Sequence, residues 1–175
     1  VNADILNNGS IGSSAFNGCD KLFTANIQSV GAVGNSAFCD CSSLQNLTIG
    51  EAVNSLGYSA FKNCSSLKES VIPDNIRVMG VYCFENCASL QKVAIGTGVR
   101  TLNDATFRNC SSLVDINIGV NVDSIRYDVF SGCSSLPAIK IPKATKRIRD
   151  RVFDDCTKLL LVVFEDRKDS IVLGC

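Results

Sequence analysis

The strongest constraint on this chain is a motif that recurs at a fixed period. Phe-x-x-Cys-x-x-Leu begins at Phe16, Phe38, Phe61, Phe84, Phe107, Phe130 and Phe153, with one step of 22 residues and then five of 23. The cysteines are Cys19, Cys41, Cys64, Cys87, Cys110, Cys133 and Cys156, and the leucines run from Leu22 to Leu159. Self-similarity at such a period specifies a solenoid, in which each unit hides its apolar face only against its neighbours.

Other columns follow once the repeats are stacked. An aliphatic residue or Met stands five before each Phe: Ile11, Val33, Leu56, Met79, Leu102, Ile125, Ile148. After each Leu comes a period-2 pair such as Leu47 and Ile49, or Val93 and Ile95, the pattern of a strand with one buried face. Strands are expected at 24–27, 46–49, 69–72, 92–95, 115–118, 138–141 and 161–164, and Ala3 and Ile5 repeat the pattern of Ala25 and Ile27. Pro73 and Pro142 end their strands, because Pro donates no ladder bond. A second extended piece precedes each Phe, near Val53 to Leu56.

From Phe to Cys the apolar spacing of three predicts a short helical or 3₁₀ turn, capped by Ser13, Asn35, Asp104 and Asp150. Gly12, Gly34, Gly57 and Gly80 precede it where a sharp turn calls for a permissive backbone. Asn103 continues that column but Arg126 and Arg149 do not, so the last coils are expected to turn differently. The fold class is thus an α/β solenoid of parallel strands and helical turns. The bulkier helical side would curve the array and leave the sheet concave.

The unit Leu-x-x-Ile-x-Ile-Pro-x-x-Val-x-x-Ile-Gly-x-x-Ala-Phe-x-x-Cys resembles the treponemal-type, BspA-like leucine-rich repeat, best from Val33 to Leu136. Ser70 departs from it at an aliphatic strand position, as do Cys83, Thr106, Val129 and Val152 at the Ala before Phe. The resemblance implies a surface or secreted protein that binds other proteins, and it implies no chemistry. Residues 1–175 then form one domain of seven coils plus partial coils at both ends. Ile171 and Cys175 fall in the register of a next coil, which suggests a piece of a longer array.

Composition narrows the function. Lys plus Arg equals Asp plus Glu at 17 each, so no global field points to nucleic acid or anionic membrane. There is no apolar run of ~18 residues. The chain has no His, which removes Ser-His-Asp and Cys-His nucleophiles and His-ligated metal sites. Seven periodic cysteines without a base suit packing, each thiol small enough to bury and able to meet a carbonyl. Stacked thiols point in one direction, so free thiols are expected. Cys83 belongs inside, whereas Cys39, in a column of Asn17, Lys62, Glu85 and Arg108, is expected to be exposed and the most reactive. Cys39 and Cys41 make only a weak Cys-x-Cys metal signal. The Asn-x-Ser/Thr triplets at Asn8, Asn46, Asn63 and Asn109 carry little, two being by-products of the repeat.

The run Lys140 to Arg151 reads linearly as a polyanion site, but residues 23 apart are neighbours. Lys146 then falls between Asp123 and Asp169, Arg151 on Asp128, and Lys143 on Asp166. Lys140, Arg147 and Arg149 are left over. The expected contact surface is the outward strand positions: Asn46, Thr48, Glu69, Val71, Lys92, Ala94, Asp115, Asn117 and Lys140. The function these features support is a non-enzymatic protein-binding module of adhesion type, without cofactor, nucleic acid or membrane insertion. The alternative is a structural spacer.

Overall fold

The computed structural model describes residues 1–6, 9–28 and 31–165. It is a solenoid of about seven turns, each adding one long and one short strand to parallel stacks. The long strands are β1 (Asn2–Ile5), β2 (Thr24–Ile27), β4 (Asn46–Ile49), β6 (Glu69–Ile72), β8 (Lys92–Ile95), β10 (Asp115–Asn117), β12 (Ala138–Ile141) and β14 (Leu161–Phe164). The short strands are β3 (Ala32–Val33), β5 (Ser55–Leu56), β7 (Val78–Met79), β9 (Thr101–Leu102), β11 (Ser124–Ile125) and β13 (Arg147–Ile148). All pairings are parallel and in register with the repeat, as in Glu69 opposite Lys92 and Lys92 opposite Asp115.

The strand expectations hold, except that β10 stops at Asn117 instead of Ile118. The regular ladder is open on the far side of β10, towards β12. Gln91, Val114 and Leu160 each donate an N–H to the preceding coil, and Pro137 occupies that position in between with none to give. The ladder is also open between β4 and β6, where Ser70 stands in the inward column. Ser70 is buried and its Oγ has no partner.

No helix forms among the described residues, which corrects the expected helical turns and cap roles. Each Phe instead sits between two β-turns. In one coil, Ala60 N–H donates to Gly57 O and Cys64 N–H to Phe61 O, with φ of +51° at Ser59 and +61° at Asn63, the third residue of each turn. Two left-handed residues within five positions stop any helix from propagating. The N–H groups of Ser59, Phe61 and Asn63 point the other way and donate to Val81, Cys83 and Glu85 of the next coil. Alternate amides thus serve the turn and the stack. The last coils turn the same way, with φ of +57° at Asp128 and Arg151. Without helices, the packing reason for a curved array with a concave sheet is absent.

The glycine column is also used differently from the sequence reading. Gly57 does not have positive φ, but a Cβ there would lie 2.6 Å from Asn35 N of the preceding coil. Close stacking of coils requires it, not backbone freedom. Where Asn103 replaces Gly, its amide reaches Met79 O at 2.7 Å.

The core is a set of stacked columns. Phe38, Phe61, Phe84, Phe107 and Phe130 are fully buried. Successive rings lie 4.9–5.9 Å apart and within 14° of parallel, the offset-stacked range. Phe16 and Phe153 are only half-buried, a correction to the expectation for all seven, because each stacks on one described neighbour. Six ladder thiols donate to the carbonyl of the Phe one coil earlier at 3.1–3.3 Å, from Cys41 to Phe16 O through Cys156 to Phe130 O.

Candidate interaction face

Alternation places two rows of side chains on the outside of the long-strand sheet. One row runs Asn46, Glu69, Lys92, Asp115, Ala138 and Leu161, all exposed. The other runs Thr48, Val71, Ala94, Asn117, Lys140 and Val163, with Val71 66% exposed and Ala94 half-buried. Pairing sets Glu69 beside Lys92 and Lys92 beside Asp115. Yet among the described residues none of the three charges joins an ion pair. Their sign alternates along the stack and all three are exposed.

Lys140 differs from the sequence reading, which left it unpaired. Its Nζ lies 2.6 Å from Glu165 Oε1, because Glu165 begins the turn after the next strand. The face also extends over Ala138, Leu161 and Val163, which the sequence reading did not include. The signal was available in the period, because Leu161 and Val163 stand 23 residues after Ala138 and Lys140 and pair with them.

Several charges on the turn side are paired instead. Arg151 Nε lies 2.8 Å from Asp128 Oδ1 as expected, and its guanidinium holds the Asp128 carboxyl below the usual range. Arg126 pairs with Asp104 at 3.0 Å. Arg149 lies 5.9 Å over the Tyr127 ring. Lys146 meets Asp123 only through its backbone N–H to Asp123 O at 2.8 Å, not through the expected ion pair. Asp166 and Asp169, the other partners expected for Lys143 and Lys146, lie outside the described residues.

The column of Lys62, Glu85 and Arg108 holds the largest departure from a solvated surface. Glu85 is 1% exposed, with Lys62 Nζ 2.8 Å from Oε2 and Arg108 bonded to Oε1. The Oε2 contact is an ion pair out of hydrogen-bond alignment, so that oxygen accepts no aligned bond. Both cations also lie over the Tyr82 ring, at 5.3 and 5.6 Å. Glu85 raises the Lys62 ammonium above its ordinary range.

Cys39, expected to be exposed, is buried. Its short side chain sits beside the longer Lys62 of the next coil, and its thiol faces Asp40 Oδ2 at 3.4 Å. Burial first, then the Asp40 bond, pushes it up to about 11. Cys19, not Cys39, is the exposed ladder thiol, and all nine described cysteines are free. No group of three His, Cys, Asp or Glu side chains among the described residues could hold a metal.

The pattern of the BspA type leucine rich repeat region, in six copies, matches residues 4–113 and 77–172. The chain belongs to the BspA-type leucine-rich repeat family. Among solved structures it is similar to a leucine-rich repeat protein from Bacteroides ovatus ATCC 8483, with 33% identity and a TM-score of 0.83. That match covers 89% of this chain and 40% of the other, so the chain spans well under half of that relative. It is also similar to the T. pallidum leucine rich repeat protein, at 27% identity and a TM-score of 0.80 over 86% of this chain and 71% of that one. A leucine rich cell surface protein from Faecalibacterium prausnitzii A2-165 shares the fold at 18% identity and a TM-score of 0.57, over 95% of this chain and 73% of that one. A comparison with curated proteins finds no match. No helix among the described residues is long and apolar enough to cross a membrane.

Proposed function

We propose that the chain is a non-enzymatic protein-binding module, of adhesion type, from a cell-surface or secreted leucine-rich repeat protein. The binding surface is the outer face of the long strands, carried by Asn46, Thr48, Glu69, Val71, Lys92, Asp115, Asn117 and Lys140. One observation carries this reading: Glu69, Lys92 and Asp115 form an exposed row of alternating, unpaired charge beside exposed Val71. Charges not committed to one another are available to a partner. The strands that carry Glu69, Lys92 and Asp115 are ladder-paired with one another as β6–β8–β10, so little backbone order has to be imposed there on binding. Membership of the family supports the surface or secreted placement.

The test is capture of extracellular-matrix and serum proteins on the immobilised chain, followed by two double reversals. Lys92→Glu with Asp115→Lys is expected to weaken a captured partner. Lys146→Glu with Arg151→Glu is expected to leave capture intact and trim stability. Equal capture by both variants would favour a spacer. Loss only with the second would move the site to the basic run.

A further inference from the structure

The outer face is not uniform, and one part of it is built as a trench. Where β6, β8 and β10 end lies a depression of ≈ 350 Å³, lined from Glu51 of one coil to Val120 three coils on, with Val71 in the coil after Glu51. Ala94, Gly96 and Gly119 line it too, so part of its wall is backbone and small side chains.

The glycines there are forced by the stack. A Cβ on Gly96 would lie 2.6 Å from Pro73 C, and one on Gly119 would overlap Gly96 O. The packing that closes the coils therefore keeps side chains off these two positions. Val71 and Val120 are 66% and 59% exposed, two aliphatic groups left in water beside a backbone-lined channel. They stand two coils apart, roughly 10 Å along the stack at the usual strand spacing.

Its electrostatics are one-sided. Glu51 and Asp74, from successive coils, are the charged groups of the lining, which contains no Lys or Arg. Neither carboxylate joins an ion pair among the described residues. Asp74 Oδ1 accepts Thr97 N–H at 2.7 Å. That bond fixes the exposed carboxylate at the rim.

We propose that this trench takes an extended peptide segment of a partner protein, one with a Lys or Arg close to two aliphatic residues. The basic group meets Glu51 and Asp74, and the aliphatic side chains cover Val71 and Val120. An extended chain advances about 3.3 Å per residue and turns alternate side chains to one face, so aliphatic positions four apart, about 13 Å, suit two valines that are offset both along and across the stack. This assignment rests on the outer-face reading and narrows it to one strip and one partner chemistry.

Selection of a displayed random dodecapeptide library on the immobilised chain tests it. Enriched peptides are expected to combine a basic residue with nearby aliphatic ones. Synthesised singly, they should lose at least about tenfold in affinity to Val71→Asp or Val120→Asp. The double variant Glu51→Lys with Asp74→Lys should select acidic peptides instead. These positions are exposed, and an unchanged melting curve confirms that each variant folds.

Peptides that ignore the trench variants but fail on Lys92→Glu with Asp115→Lys would overturn the trench and leave the outer face standing. Peptides indifferent to both sets would overturn both readings. An enrichment with no basic preference would remove the charge assignment. No enrichment at all, or self-association of the chain abolished by Val71→Asp, would replace the peptide by a folded surface or a second copy and so overturn the proposal.

Discussion

The turn side of the solenoid and the outer face of its long strands come from the same coils but obey opposite rules. On the turn side the columns that stack on themselves repeat: Phe on Phe, Cys thiol to Phe carbonyl, and Gly, Asn or Asp at the left-handed position two after Phe. On the outer face no column repeats: Asn46, Glu69, Lys92, Asp115, Ala138 and Leu161 share one row. In a stack with a fixed step, a residue that packs on its own copy is constrained to stay the same. A residue that meets only water carries no such constraint. Repetition therefore marks what holds the coils together, and variation marks what is left to meet a partner.

The largest expected contrast is between Phe107 and Lys92. Phe107 is fully buried between rings at 5.7 and 5.9 Å, so Phe107→Ala should cost about 3–5 kcal/mol of unfolding free energy. Lys92→Ala, on the exposed face, should stay within about 0.5 kcal/mol. Chemical denaturation of the two variants measures both. Comparable losses would erase the distinction between the regions.

Glu85 sharpens the comparison, because it is a charge on the packed side. Glu85→Gln leaves Lys62 and Arg108 without a carboxylate and should cost about 2 kcal/mol. Removing Lys62 and Glu85 together should cost less than the sum of the two single changes. Additive losses would mean that the pair is not coupled.

The asparagine ladder gives a smaller effect. Asn63, Asn86 and Asn109 each donate one amide N–H to the preceding coil, to Asp40, Asn63 and Asn86 in turn, at 2.6, 2.8 and 2.9 Å. Each also holds a left-handed φ near +60°. Asn86→Gly keeps the backbone and removes the bonds, so it should cost about 1 kcal/mol. Asn86→Ala adds backbone strain and should cost more. The order of the two variants in thermal melts is the check.

The thiols separate by alkylation and by pH. Cys19 should react first with iodoacetamide, with Cys39 and the buried ladder protected until the coils open. Burial, the largest cause for both, pushes Cys39 up to about 11 and Cys41 up to about 12 from an ordinary value of 9.0. The protonated thiol is the form the fold prefers. Its contribution is therefore complete below pH 9 and lost as pH rises through the folded values. Stability should fall between about pH 9 and pH 12, less so in Cys39→Ala than in the parent.

The stack was legible in the sequence because each core column is written once per coil. A local departure was visible as a broken column at Ser70, whereas Pro137, which opens the ladder between β10 and β12, stood in a column the sequence reading did not use. The turns were not read correctly, because Phe-x-x-Cys spacing looks the same in a helix and in consecutive β-turns. The discriminating signal was the column Gly18, Asp40, Asn63, Asn86, Asn109, Gly132 and Asp155, the residue types that tolerate positive φ. Cys39 and Lys140 were misplaced for a different reason. Their environments depend on the length of a neighbouring side chain, Lys62 in one case and Glu165 in the other, and a column assignment does not carry that.

The most direct test of the account puts both regions in one experiment. Alanine is placed singly at Phe61, Phe84, Asn63 and Cys87, and at Glu69, Val71, Lys92 and Asp115. Melting temperature and affinity for a captured partner are then measured for every variant. The account predicts two separate groups: the first set melts lower, with affinity unchanged in the fraction that remains folded, and the second melts like the parent with weaker binding. A single mixed group, in which binding falls only in proportion to lost stability, would contradict it.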